Sequence, residues 1–551
     1  MDLKRCAREC PDSLPSESAL RMIERGVGAR LSPGQIREIL QVDDRLAASR
    51  EAGQSPRYDA PEDWLAAEQD FLGYRMDLIY RRCEIKLTAL EALQALCALL
   101  RFPADMPFDL TGAWRKLLDG ENVRHAGKAR QDAAASALMA VNAGADAAWE
   151  ALAGRMVAPN LEGGWASIFN LYPTRRTMLT CIRSKGPVSV YQGERRLPSQ
   201  FIDGDDATAI EIEMDGLSVE RVRIEPNGPA YESVPMDGPY RFENDVLRVE
   251  VQEDGRITLL ESKRHGRQLA FGNVLRGRWK DVTGRAVLLR GEDLPLRGRV
   301  VRGELFDNLY IEGGRDGVEV GMVLYLPRHG SRRIEIMLDI TLAGDIREAF
   351  LASGGALWAE WHTDLPHPQI RCDRPFGWAS CAEGEALRSS NGVGITQDGH
   401  GLIFDHQGVT RGFFKDGVLY TLLGKGGPAA REDGPAGLLD ARSPDSPDCG
   451  KWRFFYAIDL ADEDGPEHLF GRVSSYQFPM LPVRCRRPVS ARGLLTLDDG
   501  LIPTSLSLRD GKPVLRGWNA AETPVPLRCP GLLGFDAGRP LEPFEIFERE
   551  L

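Results

Sequence analysis

The feature that most constrains this chain is a change of hydrophobic period near residue 158. Before it, apolar residues recur every three or four positions. Ile79, Cys83, Leu87, Leu90, Leu93, Cys97 and Leu100 make one stripe, with Glu84, Glu91, Gln94 and Arg101 outside it. Pro103 and Pro107 end that helix, a second pattern runs from Trp114 to Leu118, and an Ala-rich third runs from Lys128 to Leu152. After residue 158 the period is two. Leu247, Val249 and Val251 alternate with Arg248, Glu250 and Gln252, and Ile334, Ile336, Leu338, Ile340 and Leu342 repeat the pattern. Asp254-Gly255, Asp416-Gly417, Asp499-Gly500 and Asp510-Gly511 supply hairpin turns, because Gly accepts the positive φ that a tight turn requires. Frequent turns between short alternating runs predict antiparallel sandwiches rather than a parallel sheet.

The pattern divides the chain into an N-terminal helix and linker segment (1–60), a helical bundle (61–157), a small β domain (158–239) and a large β sandwich (240–551). The fold class is α+β, multidomain. Gly426–Gly450, rich in Gly, Pro, Asp and Ser, reads as a long surface loop.

Charge and cysteine usage narrow the function classes. A net charge of −12 over 551 residues, with no long Lys/Arg run, predicts no nucleic-acid partner. The N-terminal stretch lacks an apolar signal core, and no apolar run approaches the ~20 residues that span a bilayer, so no membrane partner is predicted. Ten cysteines without a CxxC pair indicate neither a zinc ribbon nor a dense disulfide framework. Such scattered thiols suggest a reducing, cytoplasmic location.

Several stretches resemble, in order, the C-terminal two-thirds of glycoside hydrolase family 38, the α-mannosidases. RRCEIKLTALEALQALCALL (81–100) and the WRKLL that follows look like the family's helical middle domain. SIFNLYPTRR (167–176) resembles the strand that opens its first β domain. YRFENDVLRVEVQEDGRITLLESKRHGRQL (240–269) resembles the strand pair opening its large sandwich. HGLIFDHQGVTRGFFKDGVLYTLLGKG (400–426) and VLRGWN (514–519) resemble later family stretches. The resemblance implies a galactose-mutarotase-like supersandwich, activity on mannose-containing glycans, and a zinc-bearing N-terminal catalytic barrel. No H-x-D motif of that barrel precedes the helical match; His362-Thr363-Asp364 occurs only in the β region.

In the family, one zinc ligand follows the Trp-x-x-Leu-Leu pattern. Laid on Trp114, Leu117 and Leu118, the ligand position falls on Val123 and the next on Arg124, with His125 two residues beyond. His125 is thus the metal candidate, and no zinc is expected for this chain alone, since a catalytic zinc takes three protein ligands. Arg374, in a DRPFGW turn resembling one in the family's sandwich, is the substrate-binding candidate, with a structural role bonding loop carbonyls as the favoured alternative. Catalytic residues are not assigned. Glu360 with Asp364 could form an acid/base pair, and His362, Asp364 and His367 a metal clip; loop positions are the alternative for both. The acidic turns Asp203–Asp206 and Asp462–Gly465 lack calcium-loop spacing.

Two function classes remain open. One is a degenerate or split α-mannosidase-like glycosidase, with carbohydrate and a separate catalytic chain as partners. The other is a non-catalytic carbohydrate-binding or scaffold protein. Leu72, Tyr74 and Met76 are the candidates for an apolar face that such a chain would cover.

Overall fold

The computed structural model describes residues 57–67, 74–122, 128–202, 206–264, 266–374, 377–426, 451–462, 478, 480–498, 500–528 and 536–551. Helices α1 (Pro61–Ala67), α2 (Tyr74–Leu99), α3 (Leu110–Asn122) and α4 (Lys128–Met156) come first. Among the described residues, one further α-helix, α5 (Gly344–Ala352), interrupts the β region. Every strand pairing among the described residues is antiparallel, as the alternation predicts. None of the described helices is long and apolar enough to cross a membrane.

The predicted stripe of α2 packs as expected. Cys83 and Leu87 meet Ala113, Trp114 and Leu117 of α3 and Leu138, Val141 and Ala145 of α4. The other side of α2 is a finding. Arg81, Glu84, Thr88 and Glu91 are buried too, and Arg81 pairs with Glu84 one turn on. The reason is that α2 is covered from more than one direction. Its C-terminal half also packs on the sheet made by Leu501–Arg509, Lys512–Asn519 and Ile546–Glu550.

The large sandwich sets a nine-stranded sheet against a ten-stranded one. Its core is the set of inward positions that period two selects, among them Leu247, Val249, Val251, Ile334, Ile336, Leu338 and Ile340. Burying such a stripe at ~25 cal/mol per Å² is what holds two sheets face to face. The strand Leu481–Cys485 leaves this sandwich and pairs with Trp165–Asn170 of the small β domain. Asp416-Gly417 and Asp510-Gly511 have positive φ at both residues, the I′ geometry that suits a two-residue hairpin. At Asp254-Gly255 only Gly255 is left-handed, at φ +82.

The motif asparagines are turn anchors. Asn244 donates from Nδ2 to Pro327 O (2.7 Å) and Ser331 O (3.1 Å), and its Oδ1 accepts from Val246 N and Leu247 N. Asn170 donates to Thr174 O and Asp215 O and accepts from Tyr172 N and Arg176 Nε. Asn519 donates to Thr523 O and Leu541 O and accepts from Ala521 N. A buried amide satisfied on both sides fixes a chain reversal that no apolar residue could hold.

Candidate functional site

The strand Ala356–Thr363, ALWAEWHT, lies inside the nine-stranded sheet, between Arg267–Lys280 and Val418–Lys425. Leu357, Ala359 and Trp361 face the core. Alternation therefore turns Trp358, Glu360 and His362 to the outer face. Register places Glu360 between Val274 and Tyr420, and Trp358 between Arg276 and Leu422.

These neighbours make a half-buried polar cluster. Trp358 Nε1 donates to Glu360 Oε1 at 3.0 Å. His362 Nε2 lies 3.8 Å and Arg276 Nε 3.6 Å from Glu360 Oε2. Arg276 also pairs with Glu292, so one guanidinium serves two carboxylates. The side chain of Glu360 keeps 16% of its surface and that of His362 30%, so both are reachable from solvent.

Helix α1 roofs one side. Trp64 stacks on Phe413 with centroids 5.5 Å apart, Tyr58 meets Phe413 edge-on, and Lys425 Nζ donates to Leu65 O. With Trp358, Leu422 and Ala356 they form a satellite apolar cluster outside the main core. The result is a polar patch bordered by aromatic rings.

The electrostatics follow from these contacts. Burial works against ionisation of Glu360, but the nearby His362, the hydrogen bond from Trp358 and the charge of Arg276 outweigh it and hold the carboxyl below its usual range. Burial likewise opposes Glu292, and Arg276 with a backbone N–H holds it low. Burial, with Glu360, Glu62 and Asp416 nearby, pushes the Tyr420 hydroxyl up to about 12. At neutral pH the patch offers ionised carboxylates as acceptors and a Tyr420 hydroxyl that keeps its proton. A general acid for glycoside cleavage requires a raised carboxyl, so neither glutamate is set up for that role.

The sequence-predicted residues fare differently. Glu360 and His362 come together because they are two apart on one strand. Asp364 and His367 are exposed beyond the strand end, where His367 N donates to Gln397 Oε1. Arg374 ends the strand Gln369–Arg374; its side chain lies outside the described residues, as do residues 123–127 with Val123, Arg124 and His125. Leu72 also lies outside, as do the side chains of Tyr74 and Met76. Asp203–Asp205 and residues 463–465 of the acidic turns fall there too. The metal candidate His125 lies outside the described residues. Among the described residues no three His, Cys, Asp or Glu side chains group to hold a metal, and the donors around Glu360 surround a guanidinium.

Sequence reading missed Arg276, Glu292, Tyr420 and Trp64. They lie on separate elements, and only sheet register and the fold of α1 bring them near Glu360.

No protein-family model matches the chain, and no curated protein matches it by sequence. Its fold does match solved structures. One is an α-mannosidase from Enterococcus faecalis V583, with a TM-score of 0.61 and 12% identity, covering 87% of this chain and 68% of that one. Another is a glycosyl hydrolase family 38 protein from Enterococcus faecalis, with a TM-score of 0.65 and 13% identity over 90% of this chain and 74% of that one. At such identities the likeness is one of fold.

Proposed function

We propose that this chain is the carbohydrate-handling part of an α-mannosidase-like glycoside hydrolase, acting on mannose-containing glycans with a separate catalytic domain, or descended from such an enzyme and no longer cleaving. The observation that carries the reading is the fold match, which takes in 87% of this chain but leaves a share of the α-mannosidase unmatched. The outer face around Glu360 is where we place the glycan. Sugar hydroxyls are met by ionised carboxylates and a guanidinium, and sugar rings by aromatic edges; Glu360, Glu292, Arg276, Trp358 and Tyr420 supply both kinds of group.

A second reading is a carbohydrate-binding protein with no chemistry of its own. The low carboxyls of Glu360 and Glu292 favour it, since both are committed to Arg276. One experiment separates the readings. The purified chain is assayed on an aryl α-mannoside alone, and then with a co-encoded chain bearing an H-x-D motif. The first reading expects turnover only on mixing where the chain still works with a catalytic partner, and none where it has lost cleavage. The second expects none in either case but saturable binding of mannosyl oligosaccharides. Failure of both turnover and binding would overturn the two together.

A further inference from the structure

The strands Gln369–Arg374 and Gly377–Cys381 form a hairpin at one edge of the ten-stranded sheet. Cys372 lies opposite Ala379, and Cys381 opposite Ile370. The two cysteines are therefore one diagonal step apart on the same face of the pair, within reach of each other. Their sulfurs stand 3.6 Å apart. A disulfide closes at about 2.05 Å, so the remaining gap of ~1.5 Å is within what side-chain rotation and a small shift of an edge strand can cover. Cys372 is fully buried, whereas Cys381 is partly accessible. That asymmetry gives each sulfur a role, one to meet an oxidant and one to resolve.

We propose that Cys372 and Cys381 are a thiol–disulfide pair, an oxidative modification site that staples this edge hairpin. The oxidant is a low-molecular-weight disulfide. The Cys381 thiolate attacks one sulfur of that disulfide, a mixed disulfide forms, and one small thiol leaves with a proton. The Cys372 thiolate then attacks Cys381 Sγ, the protein disulfide forms, and the second small thiol leaves. Two protein thiols are oxidised and one small disulfide is reduced to two thiols.

Among the described residues, no other pair of cysteine sulfurs is brought together in this way. Burial pushes the Cys83 thiol up to about 12 and the Cys97 thiol up to about 11, inside the helical layer. Between Cys372 and Cys381 lie Asp373, Arg374 and Trp378. The Asp373 carboxylate accepts from Ser390 N, Asn391 N and Gly392 N, and Trp378 packs on Ile403 and Ala461. The staple would fix the outermost strand against the turn that holds Asp373. The inference stands independently of the proposed function.

The test uses the full chain under native conditions. It is incubated with glutathione disulfide, its remaining thiols are alkylated, and tryptic peptides are weighed. Cleavage after Arg371 and Arg388 releases one peptide carrying both cysteines, because Arg374 precedes Pro375. The expected peptide is unalkylated at both sulfurs and lighter by two hydrogens, and a dithiol reductant restores it. In Cys372→Ser, glutathione stays on Cys381. Amide exchange over Gly377–Cys381 slows in the oxidised chain. Alkylation of both wild-type sulfurs, or a lasting glutathione adduct on wild-type Cys381, would overturn the proposal.

Discussion

Glu360 and Glu335 stand on the outer faces of the two sheets of one sandwich, and their carboxyls move in opposite directions. Burial is the largest influence on both. At Glu360 it is outweighed by His362, Trp358 and Arg276, and the carboxyl falls below its usual range. At Glu335 it is opposed only by Arg333, which already pairs with Asp405 and lies 3.9 Å from Asp459, and the carboxyl rises. The faces differ in what covers them. The ten-stranded face meets the small β domain, where Phe306 and Leu305 pack on Ile202 and Ala209 and Gln200 Oε1 accepts from their backbone N–H groups. It also meets α2, whose Arg82 lies 5.8 Å over the Phe455 ring. The nine-stranded face carries solvated ion pairs such as Arg248 with Glu261 and Glu243, and α1 over one part. One outer face is an internal joint; the other carries half-buried and solvated charge.

Five substitutions sharpen or break that contrast. Asp405→Ala has the largest expected effect. Asp405 is fully buried, and removing one partner of a buried pair typically costs about 3–5 kcal/mol, read from urea unfolding. Asn244→Ala comes next, at about 2–3 kcal/mol, because it strips hydrogen bonds from two carbonyls and two N–H groups at a buried turn. The glutamates follow, with opposite signs. Glu360 has a lowered folded pKa, so its stabilisation is present above the ordinary carboxylate range and is lost as pH falls through the folded value. Glu335 has a raised folded pKa, so its contribution is present below that range and is lost as pH rises through the folded value. At neutral pH, Glu360→Gln lowers the urea midpoint and Glu335→Gln raises it. Below pH ~4 both differences shrink. Shifts of the same sign would break the comparison. Glu261→Ala, in a pair with a solvated Arg248, should cost at most about 1 kcal/mol.

The inner faces of this sandwich were legible in the sequence because period two is a local signal, and Leu247–Val251 and Ile334–Leu342 carry it without interruption. The turns at Asp416-Gly417 and Asp510-Gly511 were legible for the same reason. The outer faces were not. Glu360 was visible as an acidic residue beside a histidine, but its value depends on Arg276 and Tyr420, which register alone supplies. Glu84 and Glu91 fall outside the apolar stripe of α2, yet both are buried, which periodicity alone does not show. Asn170, Asn244 and Asn519 lie in stretches that carry the resemblance, and their turn-anchoring role is seen only in the structure.

The central claim is that the open face around Glu360 meets mannose-containing glycan. The most direct test is a calorimetric titration of the purified chain with an α-mannosyl oligosaccharide, beside Glu360→Gln with its far-UV spectrum unchanged. A hydrogen bond to a charged group is worth about 1.5–3 kcal/mol, so the account predicts saturable binding weakened by about tenfold or more in the variant. Binding of equal strength in the two proteins, or no binding by the wild-type chain, would contradict it.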